Sequence, residues 1–472
     1  MFFHTPEFFG LLAVTLALYY FAPNRRLIVL AVSDLLFYSV AGAGNAALFV
    51  VMTAITYYCS RHVRGRYGSL FLWIGIGLNV LNLAFFKYAV FLIRTVEKAL
   101  SVKLLTADSL LLEIALPIGI SFYTFQMIAY LVDIRKGKWE PAQSLLHFWV
   151  FISFFAHSIA GPIMRGHEFM PQIDAVRGIR FRADRFKLGA AWFALGLAKK
   201  IVFADYLSRA VDSFYGRTEW LTGPEAWVAS YLFAFQIFFD FAAYSEMAVG
   251  IGYMFGFELP FNFRSPYVSA NATEFWRRWH ITLSNWIRDY IYIPLGGSRK
   301  GPVRQYANLF AAMTISGVWH GAAWTFVAWG AYHGALLALH KLYMVAKEKL
   351  GLTFLDNSKL YRLFAIVVFF HLTCIGWVLF RVPGLSNALA VLKKMIRPEA
   401  FLFPKTLLPF LLAVAGLFLL HFLEYYALKH AGRLHDVWHR KVPAPVRAVL
   451  YTLVIAVIVV FIQNAQNAFI YF

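Results

Sequence analysis

The stretch GVWHGAAWTF, residues 317–326, places a histidine among glycines and tryptophans inside a segment, residues 309–339, that otherwise looks lipid-soluble. An ionisable side chain at membrane depth costs free energy, and it is therefore a candidate functional residue by default. The alternative is a core histidine that bonds a backbone carbonyl. Gly317 and Gly321 lie four residues apart on either side of His320, a spacing that permits close approach of a second helix.

The composition of the whole chain is that of a membrane protein. Of its 472 residues, 60% are hydrophobic and only 14% are charged, whereas an average soluble domain has roughly 25% charged residues. Long apolar stretches recur along the sequence, and one helical crossing needs about 20 such residues. We therefore predict an all-α, polytopic membrane protein with about 11 transmembrane helices plus re-entrant or interfacial helices, in a single membrane domain over residues 1–472.

The basic residues fit a membrane topology better than a nucleic-acid interface. The net charge is +20, but the 44 lysines and arginines lie between apolar stretches and form no continuous patch. Cytoplasmic loops carry an excess of Lys and Arg. Arg25 and Arg26 follow the first apolar stretch, and the basic residues of 61–66 follow the third. The pattern predicts an N-terminus outside, basic loops in the cytoplasm and no nucleic-acid partner.

Polar residues interrupt a second apolar run, QIFFDFAAYSEMAVG, residues 236–250. Gln236, Asp240 and Tyr244 are spaced by four and share one helix face, and Ser245 follows directly. We expect this face to look into the protein. It could be a hydrogen-bonded contact between helices or the wall of a polar cavity.

The segment EFWRRWHITLSNWIRDYIYIPLGG, residues 274–297, predicts one amphipathic helix that is too charged to cross lipid. At 100° per residue, one arc is apolar and the opposite arc is polar. The apolar arc contains Trp276, Trp279, Leu283, Trp286, Ile287 and Tyr290, and the polar arc contains Arg277, Arg278, Asn285, Arg288 and Asp289. His280 falls at the boundary of the two. The helix could anchor the protein at the membrane interface or fold inward to line a pocket.

A neutral His320 in a dry pocket could take the proton from a hydroxyl that attacks an acyl carbonyl. Cys59 and Cys374 are distant in sequence, and no G-x-S-x-G elbow accompanies a Ser-His-Asp order. Direct transfer therefore fits better than an acyl-enzyme. Two isolated thiols also make neither a disulfide framework nor a zinc site. His333 does not share a helix face with His320 unless the helix breaks between them.

Several motifs resemble the membrane-bound O-acyltransferase superfamily and, within it, the bacterial alginate O-acetyltransferase type. They are FWRRWHITLSNWIRDYIYIPLGGSRKG (275–301), GVWHGAAWTFVAWGAYHG (317–334), LPIGISFYTFQMIAYLVDIRKG (116–137), SIAGPIMR (158–165), GLAKKIVFADYL (196–207), FDFAAYSEMAVGIGYMFGF (239–257) and the closing NAFIYF. The resemblance runs from about Lys87 to the end of the chain, and the 40-residue spacing of His280 and His320 also fits. FAAYSEM stands where relatives often have FSGYSDM, so packing there is expected to differ.

The resemblance implies a funnel-shaped, multi-pass protein of the inner membrane. His320 matches the invariant histidine at the thin centre of the membrane, and His280 matches the second histidine of the family. The implied donor is acetyl-coenzyme A, used as a substrate on the cytoplasmic side, with no permanently bound cofactor. We predict a substrate-binding set of Asp240, Tyr244, Ser245, Trp319, Arg277, Arg278, Asn285 and Arg288. Arg277, Arg278 and Arg288 would hold donor phosphates, because guanidinium offers forked donors.

The expected partners are membrane lipid, a polysaccharide acceptor and an extracytoplasmic protein of the SGNH esterase-like class, which the resemblance implies as the carrier of the acetyl group. Three other functions compete with acetyl transfer. The first is D-alanyl transfer to teichoic acid, whose enzymes share WRRWH and WHG. The second is haem-based electron transfer through histidine pairs. The third is polysaccharide or lipid transport without chemistry.

Overall fold

The computed structural model describes residues 2–106 and 109–462, and every regular element in these ranges is helical. The prediction of an all-α protein is therefore confirmed. The α-helices are α1 (Pro6–Phe21), α2 (Arg26–Ser39), α3 (Ala43–His62), α4 (Gly68–Leu100), α5 (Ile120–Arg135), α6 (Leu145–Ser153), α7 (Gly166–Asp174), α8 (Ala183–Ala198), α9 (Asp205–Tyr215), α10 (Gly223–Phe255), α11 (Ala272–Trp276), α12 (Ile281–Ile287), α13 (Pro302–His320), α14 (Trp324–Lys349), α15 (Lys359–Arg381), α16 (Leu385–Met395), α17 (Leu408–Lys429), α18 (Ala431–Arg440) and α19 (Ala444–Ile462). The NAFIYF segment lies outside the described residues.

Short helical segments of two other kinds join or extend these helices. The 3₁₀ segments within the described ranges are Pro23–Arg25, Leu110–Leu112, Val176–Gly178, Pro266–Val268, Leu352–Asn357, Pro398–Phe401 and Lys405–Leu407. The π-helical segments there are Lys199–Ala204 and Arg288–Tyr292. A π-helical turn frequently marks a functional site, because the extra residue redirects the side chains that follow it.

Six of the described helices are long and apolar enough to cross a membrane, which supports the multi-pass prediction. They cover Ala43–His62, Gly68–Leu100, Gly223–Phe255, Lys359–Arg381, Lys405–Lys429 and Ala444–Phe461. The pair Pro6–Phe21 and Pro23–Ser39, bent by 114°, makes a seventh if it counts as one span. Several other helices are too short for one crossing: α5, for example, has 16 residues and is about 24 Å long, less than a hydrocarbon core of about 30 Å. Helix α14, with 26 residues, is long enough, but its composition does not qualify it as a candidate span. The predicted number of about 11 crossings is not confirmed.

The described chain forms two compact units. The first contains residues 2–106, 109–197 and 244–261, and the second contains residues 198–243 and 262–462. Helix α10 contributes to both, and 94% of its apolar window is buried inside the protein. Because protein encloses it, α10 can carry polar residues on several faces, among them Ser230, Asp240 and Glu246. The prediction of a single membrane domain stays a prediction.

In the first unit, two buried charged side chains, those of Arg26 and Asp34, bond to other groups of the protein. The Arg26 side chain is 4% exposed and donates to the backbone carbonyls of Tyr19 and Val176, both at 2.9 Å. The Asp34 carboxylate, fully buried, accepts a hydrogen bond of 3.0 Å from the Ser153 hydroxyl. Such pairing is needed because an unsatisfied polar group in a low-dielectric interior costs several kcal/mol.

In the second unit, glycines allow α13 and α14 to pack closely. A Cβ atom on Gly330 would lie 2.4 Å from the carbonyl oxygen of Met313 and 2.9 Å from the Cα atom of Gly317. A Cβ on Gly321 would lie 2.1 Å from the Phe326 ring. The predicted role in close helix approach is therefore confirmed for Gly317, whose Cβ would lie 2.8 Å from the Cα atom of Gly330, but not for Gly321, which lies outside both helices.

Candidate active site

His320 is the last residue of α13, and the helix breaks directly after it. Gly321 has an extended backbone with φ −165° and ψ 154°, and α14 begins at Trp324. A continuous helix would point His320 and His333 in different directions, and this break allows both imidazoles to contact one side chain. Both imidazoles contact the ring of Trp329, with centroid distances of 4.8 Å for His320 and 4.9 Å for His333.

Aromatic rings surround the imidazole of His320. Its centroid lies 4.9 Å from the ring of Trp319 and 5.5 Å from the ring of Phe380, in addition to the contact with Trp329. These contacts are edge-to-face, the arrangement that aromatic quadrupoles favour. His320 itself is half-buried. Its surroundings are therefore mainly apolar while part of the residue stays accessible.

His280 occupies a second break in the helical structure. Its backbone is left-handed, with φ 43° and ψ 56°, between the end of α11 at Trp276 and the start of α12 at Ile281. The predicted single helix over 274–297 is therefore wrong: it consists of α11, α12 and the π-helical segment Arg288–Tyr292. A left-handed L-residue costs about 1–2 kcal/mol, so other contacts must hold His280 in place.

The predicted separation of apolar and polar residues over 274–297 persists despite the break. Five members of the apolar arc are buried: Trp276, Trp279, Leu283, Trp286 and Ile287. Arg277 and Arg288 are exposed, while Arg278, Asn285 and Asp289 are half-buried. The apolar arc of the segment therefore packs against the rest of the protein, and the polar arc faces outward.

The structure brings the two predicted histidines to one tryptophan. The ring of Trp319, which is 4% exposed, lies 6.1 Å from His280 and 4.9 Å from His320, centroid to centroid. His280 is fully buried, and its ring also packs at 88° to the ring of Phe241 on α10, with centroids 4.6 Å apart. His280 and His320, which are 40 residues apart in sequence, thus form one cluster with Trp319. We call this cluster the histidine site.

Asp240 lies in a buried ion pair. Its carboxylate is 2.7 Å from the Lys200 ammonium, which is also 2.9 Å from Asp205. This agrees with the interpretation of the 236–250 face as a contact between helices. Sequence reasoning missed Lys200, although a lysine five residues before an aspartate inside an apolar run was a signal for such a pair. Whether Asp240 also contacts substrate stays a prediction.

Tyr244 and Ser245 belong to the first unit, both 2% exposed. The ring of Tyr244 stacks on Phe3, with centroids 4.5 Å apart. The other predicted site residues belong to the second unit. The substrate-binding role of Tyr244 and Ser245 stays a prediction.

A basic cavity of about 1180 Å³ opens beside α11, α14 and α15. The arginine, lysine, histidine and acidic residues of its lining are Arg264, Glu274, Arg277, Arg278, His340, Lys347, Asp356 and Arg362. The Glu274 carboxylate accepts from Arg278 and Arg362, each at 3.0 Å. Two predicted residues, Arg288 and Asn285, are not among the lining, and Arg288 bonds to Asp289 at 2.7 Å. The three predicted phosphate-binding arginines therefore do not form one group.

The charge of Glu274 is stabilised by its neighbours. Burial opposes ionisation, but the hydrogen bond from the Ala270 N–H and the nearby guanidinium groups outweigh it and lower the pKa of the carboxyl. The ionised Glu274 offsets part of the positive charge of the cavity. With five Arg and Lys side chains against two carboxylates, the lining remains basic.

The sequence profile of the MBOAT, membrane-bound O-acyltransferase family matches residues 67–380, a range that includes the histidine site. The chain belongs to this family. Its enzyme class is O-acyltransferase, as the sequence predicts. The match to the MBOAT profile begins before Lys87, where the resemblance was expected to begin, and it ends at Phe380. Phe380 is one of the aromatic residues around His320.

Curated relatives of this MBOAT chain include O-acetyltransferases and D-alanyltransferases. The probable alginate O-acetylase AlgI of Pseudomonas putida is 37% identical over 386 residues, which cover 80% of this chain and 77% of that protein. The peptidoglycan O-acetyltransferase of Helicobacter pylori is 35% identical over 395 residues, 78% of this chain and 73% of that protein. The teichoic acid D-alanyltransferase of Bacillus subtilis is 27% identical over 274 residues, 56% of this chain and 68% of that protein.

Proposed function

We propose that this protein moves acetyl groups from cytoplasmic acetyl-coenzyme A across the membrane for O-acetylation of an extracytoplasmic polysaccharide. The observation that carries the proposal is the convergence of His280 and His320 on Trp319, in a chain that belongs to an O-acyltransferase family. The relatives named as O-acetyltransferases are more similar and cover more of the chain than the D-alanyltransferase. Acetyl transfer is therefore favoured over D-alanyl transfer.

The histidine site suits direct acyl transfer. The imidazole of His320 accepts the proton of the acceptor hydroxyl while that oxygen attacks the thioester carbonyl. The new C–O bond forms, the C–S bond breaks, and His320 returns the proton to the leaving sulfur. His280, whose buried ring lies 6.1 Å from that of Trp319, would assist as the second histidine of the site. No oxidant or further reactant is needed.

The basic cavity is the proposed site for the phosphates of the donor. Arg277 and Arg278 were predicted from the sequence, and the lining adds Arg264 and Arg362. Replacing Arg277 by glutamine should raise the KM for acetyl-coenzyme A by about tenfold, because one charge-assisted contact to phosphate is lost. The matched control is Arg66→Gln, at an exposed arginine outside this lining. Equal donor KM values for the two variants would rule out the cavity as the phosphate site.

The acceptor side of the proposal includes a second protein. The extracytoplasmic partner of the SGNH class would receive the acetyl group and pass it to the sugar, since loops between apolar helices are short for holding a polymer. The proposed location is the inner membrane, with about 11 crossings in a funnel-shaped arrangement. Reconstitution tests the partner: the purified chain with acetyl-coenzyme A alone should acetylate polysaccharide far more slowly than cells do.

The decisive experiment replaces His320. His320→Ala and His320→Gln should insert normally but lower acetyl transfer by about 100-fold or more, the usual contribution of a general base. His430→Gln, at an exposed histidine, is the control and should retain activity. Mass spectrometry of the product identifies the transferred group. Near-normal acetylation by His320→Ala at matched expression would refute the assigned mechanism, and a transferred D-alanyl group would refute the assigned substrate.

A further inference from the structure

The backbone around His280 is held by a segment about twenty residues upstream. The main-chain oxygen of Asn262 accepts a hydrogen bond from the Ile281 N–H at 2.9 Å. The Asn262 side-chain oxygen accepts from the Thr282 N–H at 3.1 Å and from the Thr282 hydroxyl at 2.7 Å. Two residues further along, the Arg264 N–H donates to the Arg278 carbonyl at 3.0 Å. Residues 262–264 thus bond to the chain on both sides of His280.

These bonds take the place of a side-chain cap, which His280 does not make. The first N–H groups of a helix lack intrahelical partners and are usually satisfied by the side chain of the preceding residue. His280 precedes α12 and makes no capping hydrogen bond with its side chain. Asn262 supplies the missing acceptor to the first two N–H groups of α12. It is fully buried, so water does not compete for these bonds.

The segment that carries Asn262 is itself fixed. The Tyr267 N–H donates to the imidazole of His421 on α17 at 3.1 Å, and the Tyr267 hydroxyl donates to the Ala234 carbonyl on α10 at 2.6 Å. Both anchors belong to the same compact unit as His280. A displacement of His280 therefore requires either breaking the Asn262 bonds or moving a segment attached to two long helices.

We infer that Asn262 is a positioning residue for His280: it caps α12 from a distance and so holds the imidazole of His280 against Trp319. This inference rests on the proposed acetyl transfer. It assigns Asn262 no contact with substrate. The prediction is that Asn262 affects turnover through His280 and not through donor binding.

A double-mutant cycle tests the inference on the full-length protein in membranes that contain its acceptor. Asn262→Ala should lower kcat for acetyl transfer by about tenfold, since small misplacements of a catalytic group are costly, and should leave the KM for acetyl-coenzyme A unchanged. In the His280→Ala background, the same substitution should lower kcat by less than about twofold, because its target is already absent. A full tenfold loss in that background, or a raised KM with normal kcat, overturns the inference.

A second pair of variants covers the case in which Asn262→Ala does not accumulate. Thr282→Val removes one donor to Asn262 with almost no change in shape, and Thr282→Ser keeps it. Thr282→Val should lower kcat in the wild-type background only, and Thr282→Ser should not; equal kcat values for the two overturn the inference. Failure of the proposed function gives a different result: the wild type transfers no acetyl, or His280→Ala leaves the transfer rate unchanged.

Discussion

The contact between α13 and α14 offers a test of how His320 is placed. In Gly330→Ala, the new Cβ would lie 2.4 Å from the Met313 carbonyl oxygen, whereas ordinary contacts begin at 3.4 Å. Because the obstructing atoms are backbone, no side chain can rotate away, and the helices must separate by about 1 Å. Overpacking of this kind costs about 1–3 kcal/mol. We therefore expect a lower midpoint of thermal unfolding in detergent.

The same separation should affect the histidine site. His320 ends α13 and contacts Trp329 of α14 at 4.8 Å, so a shift between these helices changes the surroundings of the imidazole. A misplacement of about 1 Å can lower a rate by about 100-fold. The assay is acetylated product formed per unit of membrane-inserted protein, measured below the unfolding temperature so that loss of fold and loss of placement are separated.

Gly416→Ala is the matched control, because a Cβ at this exposed position on α17 meets nothing within 4 Å. Alanine there should stabilise the helix by about 0.5–1 kcal/mol and leave transfer unchanged. If Gly330→Ala matched Gly416→Ala in both unfolding midpoint and transfer rate, the close packing of α13 and α14 would not be what positions His320.

Three further predictions address other parts of the chain. Lys200→Met should destabilise the protein by about 3–5 kcal/mol in thermal unfolding, because it leaves the buried carboxylates of Asp240 and Asp205 without their cation; adding Asp240→Leu should recover part of the loss. Glu274→Gln should lower the unfolding midpoint at pH 7. Because the pKa of the Glu274 carboxyl is lower in the folded protein than its ordinary value, its contribution to stability is lost as pH falls through the folded pKa, and the difference between variant and wild type should shrink there. Arg64→Cys should react with an impermeant thiol reagent only in permeabilised cells, and labelling of intact cells would overturn the predicted topology.

The sequence predicts those features of the fold that depend on composition and periodicity. Apolar stretches recur along the chain, and all described regular elements are helical. The amphipathic pattern of 274–297 predicts which residues are buried, for example Trp279 and Leu283, because burial follows side-chain type even where the backbone is irregular. His280 and His320 were predicted from the family resemblance and from the cost of an imidazole at membrane depth, and the structure brings both to Trp319.

Features that depend on distant parts of the chain were not predictable. A helical wheel assumes the same dihedral angles at every residue, so it cannot register the left-handed backbone of His280. That conformation is supported by Asn262, which accepts hydrogen bonds from the N–H groups of Ile281 and Thr282. No local sequence pattern predicts this contact. The cavity lining is likewise non-local, since Arg264 and Arg362 are almost 100 residues apart in sequence.

Both histidines of the site lie where a helix is interrupted, and this explains how they come together. Inside a continuous helix a side chain points along a direction fixed by its position, so His320 and His333 could not face the same ring. The extended Gly321 reverses the chain after His320 and brings α14 back along α13, so that Trp329 contacts both imidazoles. The left-handed His280 likewise interrupts its helical segment, and its ring lies 6.1 Å from that of Trp319, centroid to centroid. Irregular backbone is costly in a membrane protein and persists where it is enclosed by protein or lines a cavity. Two such interruptions, each at a histidine and each beside a tryptophan of 317–334, therefore place both imidazoles where the proposed acyl transfer requires them.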